Sequence, residues 1–176
     1  MRRQTDAVRY KMRDIRYKKA FTIVEVLVAI VLIGIAIASL VAVSISSTKS
    51  NAAGTDLSTA EFLVEQVKEM TALLPVIDPQ TGTDFPFGPE PNETSLADYD
   101  DLDDFDGATF SPPINADRQT LSDFTAFSQQ IIVENVDPKN FEQVILDHGS
   151  YFVRITAKVF MNSREICSTS WIRTRL

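Results

Sequence analysis

An uninterrupted apolar run near the start of the chain, FTIVEVLVAIVLIGIAIASLVAV, constrains the fold more than any other feature. It covers the 23 residues from Phe21 to Val43 and contains one charged residue, Glu25. As an α-helix with a rise of about 1.5 Å per residue, it would span about 34 Å, enough to cross a hydrocarbon core of about 30 Å. A buried strand would be far shorter, and lipid tolerates only helices and closed barrels. The run therefore predicts one transmembrane helix.

Charge is distributed unequally along the chain. Residues 1–20 contain eight Lys or Arg and two Asp, which leaves nine basic and 22 acidic residues in 21–176. A basic flank keeps its end of a transmembrane helix in the cytoplasm, so we expect the acidic body on the opposite side of the membrane. Because polyphosphate would repel such a body, no contact with nucleic acid is predicted.

The charged residue within the apolar run lies near the start of the predicted helix. An ionisable side chain deep in a membrane costs roughly 3 kcal/mol unless it is paired or lies near the interface, which makes Glu25 a functional candidate. Residues 18–29 read KKAFTIVEVLVA: two basic residues, the small Ala20, then Phe21, with Glu25 at the fifth position of the apolar helix. This segment resembles the class III signal of type IV pilins and type II secretion pseudopilins. The family usually has glycine where this chain has Ala20, which is also small.

The resemblance implies how the protein is processed and stored. Prepilin peptidase would remove a basic leader, residues 1–20, by cleaving between Ala20 and Phe21, and Phe21 would be N-methylated. Glu25 would neutralise the N-terminal amine of an adjacent subunit during assembly. The expected location is the bacterial inner membrane, with one membrane span and a cytoplasmic N-terminus, followed by a periplasmic or cell-surface filament. The expected partners are other pilin-like subunits, the peptidase, the inner-membrane assembly platform and membrane lipid.

Two other interpretations of the N-terminus stay open. The chain could carry an ordinary secretory signal peptide with Ala36-Ile37-Ala38 as the cleavage site, although the apolar run is long for one. It could also be a single-pass membrane-anchored extracytoplasmic binding module. An enzyme is not predicted, because the sequence offers no nucleophile–base pair, phosphate-binding glycine loop or metal triad.

Beyond the apolar run, apolar residues recur at intervals of three and four, which predicts that residues 44–75 continue the helix as an amphipathic segment. We expect one helix over about 21–74, weakest near residues 46–54 and ended by Pro75. Its predicted core stripe consists of Leu57, Ala60, Leu63, Val64, Val67, Met70 and Leu74.

An acidic connector, defined as residues 76–120, follows the helix and is rich in proline and aspartate. In residues 98–106, six of the nine residues are aspartates, which repel one another unless solvent or cations screen them. No cofactor is required by the sequence, but calcium is the chemical candidate because it takes six to eight oxygen ligands. The spacing of the aspartates does not match the known calcium loop, and the interpretation that we favour is a solvated acidic loop attached to the core by Tyr99, Leu102 and Phe105. The candidate calcium ligands are Asp100, Asp101, Asp103, Asp104 and Asp106.

Residues 121–176 show the period of two that is typical of strands, in 127–136, 151–161 and 165–175. Asn162-Ser163 fits a two-residue hairpin loop, which would pair Val159 with Ile166 and Val153 with Ile172 and place Trp171 on the face away from the core. The fold class predicted from all these segments is α+β: a long N-terminal helix, transmembrane in its first half, packed on a C-terminal antiparallel sheet of three or four strands. Such an architecture is type IV pilin-like.

Overall fold

The computed structural model describes residues 20–76, 78–79, 87–147 and 149–174. The predicted leader lies outside the described residues except for Ala20. The chain separates into two compact units with the boundary between Thr48 and Lys49.

The first element is a 50-residue helix, α1 (Ile23–Ala72), which confirms the predicted long helix. The serine-rich stretch 46–54, where weakening was expected, is helical throughout. Four exposed hydroxyl groups along the helix are satisfied internally, because each donates to the carbonyl four residues earlier at 2.8–3.1 Å. These bonds occupy side chains that would otherwise compete for the helical backbone. The residues concerned are Ser39, Thr48, Thr55 and Thr59.

The last turns of α1 supply one wall of the core of the second unit. Five residues of the predicted stripe are buried there: Ala60, Leu63, Val64, Val67 and Met70. Leu57, which was also predicted to be buried, is 43% exposed. The helix residues pack in one cluster with sheet residues that include Ile131, Val133, Val153, Ile155, Ala157 and Val159.

An antiparallel sheet forms the other wall of this core. Its strands are β1 (Thr109–Phe110), β2 (Phe127–Asp137), β3 (Asn140–Val144), β4 (Phe152–Met161) and β5 (Arg164–Thr174). The order is β1-β2-β4-β5, and β3 also pairs with β2. The three long strands confirm the three predicted ones, whereas β1 comes from the acidic connector and β3 was not predicted. Alternate residues of β2 and β4 are buried, as the period of two requires.

The hairpin between β4 and β5 has the predicted loop but not the predicted register. Asn162 and Ser163 have φ values of 49° and 66°, the positive values that a type I′ turn requires. However, Val159 pairs with Cys167 and not with Ile166, since the register shifts at a bulge next to Phe160.

The bulge reverses the predicted faces of β5 beyond this point, because a one-residue slip exchanges the two faces of a strand. Val153 pairs with Arg173, and Trp171 lies opposite the buried Ile155. Trp171 therefore packs partly buried against the core, and the prediction that it lies on the other face was wrong. Ile172, expected on the core face, is 36% exposed. The slip places the largest side chain of the strand where it removes most apolar surface from water.

Gln129 connects three parts of the second unit. Its fully buried side chain lies in β2, and its Nε2 donates to the carbonyl of Leu63 in α1 at 2.9 Å and to that of Ile114 in the connector at 3.2 Å. Its Oε1 accepts a hydrogen bond from the backbone N–H of Ile114 at 2.8 Å. One amide thus joins helix, connector and sheet inside the core.

Replacing Gln129 by leucine should lower the free energy of unfolding by about 2 kcal/mol, because the buried N–H of Ile114 loses its acceptor. The measurement is urea unfolding of the full chain in detergent micelles, followed by the fluorescence of Trp171. The matched control is Gln130→Leu, since Gln130 is the next residue of β2 and is only half-buried. Equal stability of the two variants would contradict the role assigned to the Gln129 amide.

Candidate functional site

The predicted processing site lies at the start of α1. Ala20, Phe21 and Thr22 precede the first helical residue, Ile23. The side-chain oxygen of Thr22 accepts a hydrogen bond from the backbone N–H of Glu25 at 3.2 Å. Thr22 is therefore the N-cap of the helix, and Glu25 lies in the first turn, where a negative charge interacts favourably with the helix dipole. Sequence reasoning missed this role of Thr22, although the spacing Thr-x-x-Glu is that of a capping box.

The helix behind this site leaves its apolar side chains uncovered. Its large apolar residues from Phe21 to Ile45 are between 48% and 81% exposed. By length and composition, α1 is able to cross a membrane. Exposed apolar surface on this scale requires lipid or other protein surfaces around it.

The acidic connector holds the second candidate site. Asp101, Asp103 and Asp104 are only 1–4% exposed, so the expectation of a solvated loop was wrong for these three residues. Asp100 is half-buried, and Asp106 is exposed.

The predicted attachment of this loop to the core is confirmed. Leu102 and Phe105 are buried, and Tyr99 packs partly buried with its ring edge-on to Phe105 at 5.2 Å. A short 3₁₀ helix, Asp103–Phe105, carries two of the buried aspartates. Leu102 and Phe105 lie next to the aspartates in the sequence. Because these two apolar side chains are buried, the neighbouring carboxylates are buried with them.

Backbone N–H groups satisfy one oxygen of most of these carboxylates. Oδ2 of Asp104 accepts hydrogen bonds from the N–H groups of Asp100 and Asp101 at 2.8 and 3.1 Å. Oδ2 of Asp103 accepts one from Gly88 at 3.0 Å. Oδ1 of Asp106 accepts one from Val133 in β2 at 2.9 Å, which ties the loop to the sheet.

Two glutamates from earlier in the connector meet this loop. Carboxylate oxygens of Glu90, Glu93 and Asp104 lie within 4.8 Å of one another; these three residues are called the carboxylate triad below. A turn positions the glutamates, since the N–H of Glu93 donates to the carbonyl of Glu90 and the N–H of Glu90 donates to Oε2 of Glu93. Of the five predicted calcium ligands, only Asp104 belongs to the triad. Calcium binding by all five aspartates stays a prediction.

Burial and crowding shift the acidities of the cluster. Burial raises the pKa of Asp101 to about 9, with further contributions from a hydrogen bond to Asp103 and from the charges of Asp103 and Asp104. Burial raises the pKa of Asp104 to about 6, and the pKa values of Asp103 and Glu93 also rise because of burial. Such a cluster is stable only if protons or a cation reduce its negative charge.

A positively charged side chain, that of Arg118, supports the backbone beside the cluster. Nη1 of Arg118 donates to the carbonyls of Leu96 and Tyr99 at 2.8 and 2.7 Å, and the guanidinium lies 5.4 Å from the centre of the Phe105 ring. Within the residues that the structure describes, no Lys or Arg forms an ion pair with the triad.

The fold and the uncovered helix together define a class of protein: a pilin-like α+β protein, in which a long N-terminal helix is apolar at its start and packs by its last turns on a C-terminal antiparallel sheet. Comparison with known families agrees, because residues 15–41 match the family described as prokaryotic N-terminal methylation motif. This motif is that of a type IV pilin or pseudopilin N-terminus, and it indicates a prepilin-like protein that prepilin peptidase processes.

This class has known general properties. The N-terminal helix anchors such a protein in the inner membrane before assembly, and pilin-like proteins are generally structural and not enzymatic. No curated protein and no solved structure matches the chain.

Replacing Arg118 by glutamine should loosen the acidic connector, because charged hydrogen bonds to two carbonyls contribute about 1.5–3 kcal/mol each. The amides of Leu102 and Asp106 donate to the carbonyls of Pro75 and Asp103. Hydrogen exchange of the full chain should become about tenfold faster, or more, at these two amides. Arg164→Gln, at the exposed start of β5, is the matched control. Unchanged exchange at both amides would show that Arg118 does not hold the loop.

Proposed function

We propose that this protein is a structural subunit, a minor pilin or pseudopilin, of a type IV pilus or of a type II secretion-like filament. One observation carries the proposal: the methylation motif continues directly into a helix whose apolar side chains are uncovered in the single chain. In a filament, the helices of neighbouring subunits would cover this surface, and the acidic second unit would face outward. Such a subunit would need other pilin-like subunits and an inner-membrane assembly platform as partners.

In this proposal, prepilin peptidase cleaves between Ala20 and Phe21 on the cytoplasmic side. The new amine of Phe21 is then methylated, and the apolar helix stays attached to the body. The exposed, non-helical backbone of Ala20 and Phe21 supports this position, because a protease needs an extended segment that it can reach. Retaining the helix after cleavage distinguishes this processing from removal of a secretory signal peptide.

We assign Glu25 the role of partner for the N-terminal amine of an adjacent subunit. Two buried groups of opposite charge offset one another's desolvation only when they meet, so an unpaired subunit would be disfavoured inside a filament. The Thr22 cap fixes the backbone of Glu25 at the first turn of α1, so that its carboxylate remains near the new N-terminus. The charge pair would thus set the axial position of each subunit.

A monomeric membrane-anchored binding module is the alternative, because the family match ends at residue 41, before the second unit begins. Such a module would use α1 only as an anchor. Glu25 would then have no partner and no function.

Intact mass and N-terminal sequencing of the protein from its native host test the cleavage. We expect a chain that starts at Phe21 and is heavier by about 14 mass units, the increment for one methyl group. The control is Ala20→Leu, whose bulky side chain at the cleavage position should leave the leader attached. A native chain that keeps residues 1–20, or that begins after Ala38, would refute the processing.

Replacing Glu25 by leucine tests the assembly role. The variant should enter the membrane at the normal level but should be incorporated into filaments at least tenfold less, because the partner amine would be buried without a counter-charge. The measurement is the ratio of sheared filament protein to membrane protein by immunoblot. Ser39→Leu, in the same helix, is the matched control and should assemble normally. Equal ratios for the two variants would favour the anchored module.

A further inference from the structure

An open cavity of about 210 Å³ lies in the second unit, beside the end of α1. It is lined by Lys68 and Ala72 of α1 and by Trp171 and Arg173 of β5. Trp171 is half-buried, so its side chain contributes both to the core and to the wall of the cavity. Because an apolar cavity of about 150 Å³ holds a molecule the size of benzene, this one has room for one apolar side chain.

Two positively charged side chains border the cavity. The guanidinium of Arg173 donates to three backbone carbonyls in residues 71–74 at 2.9–3.1 Å, which fixes its position at the end of α1. A guanidinium has five N–H groups, so donors remain for an acceptor on another molecule. Among the described residues, Arg173 forms no ion pair, and Lys68 pairs only with the exposed Glu65. The cavity therefore suits an apolar side chain that is followed by a carboxylate.

One exposed segment of the same chain has this chemistry. Leu146 is 86% exposed, and the exposed Asp147 follows it directly. The N–H of Gly149 donates to the carbonyl of Leu146 at 2.9 Å, which closes a turn. The N–H of Ile145 donates to the carbonyl of Asn135 at 3.0 Å, which holds this turn against β2. A large apolar side chain exposed to this extent gains free energy when another surface covers it.

The charge of the body favours a contact of this kind between copies. Residues 21–176 contain nine basic and 22 acidic residues, so two bodies repel one another unless a positive surface of one meets a negative surface of the other. The cavity supplies the positive surface, and Asp147 supplies the negative one. These two surfaces share no residue, so one copy can receive a neighbour at its cavity and enter another neighbour with Leu146. Such heterologous contacts produce open filaments when the rotation between copies does not close a ring.

We propose that Leu146 of one copy inserts into the cavity between α1 and β5 of a second copy, where the adjacent Asp147 pairs with Lys68 and Arg173. This inference rests on the proposed function, since the second copy is the neighbouring subunit of the filament. It adds a specific contact between the acidic bodies to the packing of the apolar helices. It also requires that copies of this chain are neighbours in the filament.

Cysteine cross-linking in filaments from the native host tests the contact. The chain carries Ala72→Cys and Leu146→Cys, with its native thiol removed by Cys167→Ala, and a short bismaleimide is added to sheared filaments. We expect covalent multimers of this chain on a denaturing gel, and multimers longer than dimers require both introduced cysteines. The matched control has Gln119→Cys in place of Leu146→Cys, because Gln119 is exposed in the connector, and it should give no multimers.

Charge reversal tests the ion pair without cross-linking. Asp147→Lys should lower incorporation into filaments at least about fivefold, because like charges would meet at the cavity. Adding Lys68→Glu should raise incorporation again by at least about twofold, because opposite charges then meet in the reversed order. Asp123→Lys is the matched control, since it changes the net charge equally at an exposed position elsewhere and should be incorporated normally.

Three results would overturn the proposal. If filaments contain the paired-cysteine chain but yield only monomers, or cross-links only to a different subunit, no second copy occupies the cavity, while the proposed function still holds. If Asp147→Lys and Asp123→Lys lower incorporation equally, the overall charge and not this contact is responsible. If the unaltered chain is absent from filaments, the proposed function fails, and this contact fails with it.

Discussion

The amide of Gln129 is the interaction on which the arrangement of the second unit depends. Apolar contacts between helix and sheet are non-directional and would tolerate sliding, whereas an amide with one acceptor and two donor positions defines a single alignment. Because it contacts Leu63 and Ile114 at once, Gln129 fixes the height of the helix on the sheet and the path of the connector. The positions of the connector's short strand and of its buried carboxylates follow from that path.

Much of the fold could be predicted from the sequence because its signals are local. The apolar run, the stripe that includes Leu63 and Val67, and the alternation in β4 each depend on neighbouring residues. What could not be predicted depends on contacts between distant segments. The bulge that skips Ile166 allows Trp171 to face the core. The sequence pattern of β5 does not predict this bulge. All residues of β3 are exposed, so this strand has no alternating pattern to detect.

The two candidate sites differ in the same way. Ala20, Phe21 and Glu25 lie within a few consecutive residues, so a motif can identify them, and even the Thr22 cap has a readable spacing. The triad joins residues from two turns of an irregular segment, and no spacing predicts that meeting. Aspartate is also rarely buried without a partner, which is why burial of Asp104 contradicts the expectation from composition.

The hydroxyls of α1 that bond to its own carbonyls have a further consequence. A helix that leaves the membrane and enters a protein assembly exchanges one solvent for another, and each unsatisfied polar group would add a penalty in one of them. Ser39 and Thr48 carry their acceptors with them, so the transfer alters none of their hydrogen bonds. For these two positions, lipid and packed protein would therefore be equivalent surroundings in the proposed filament.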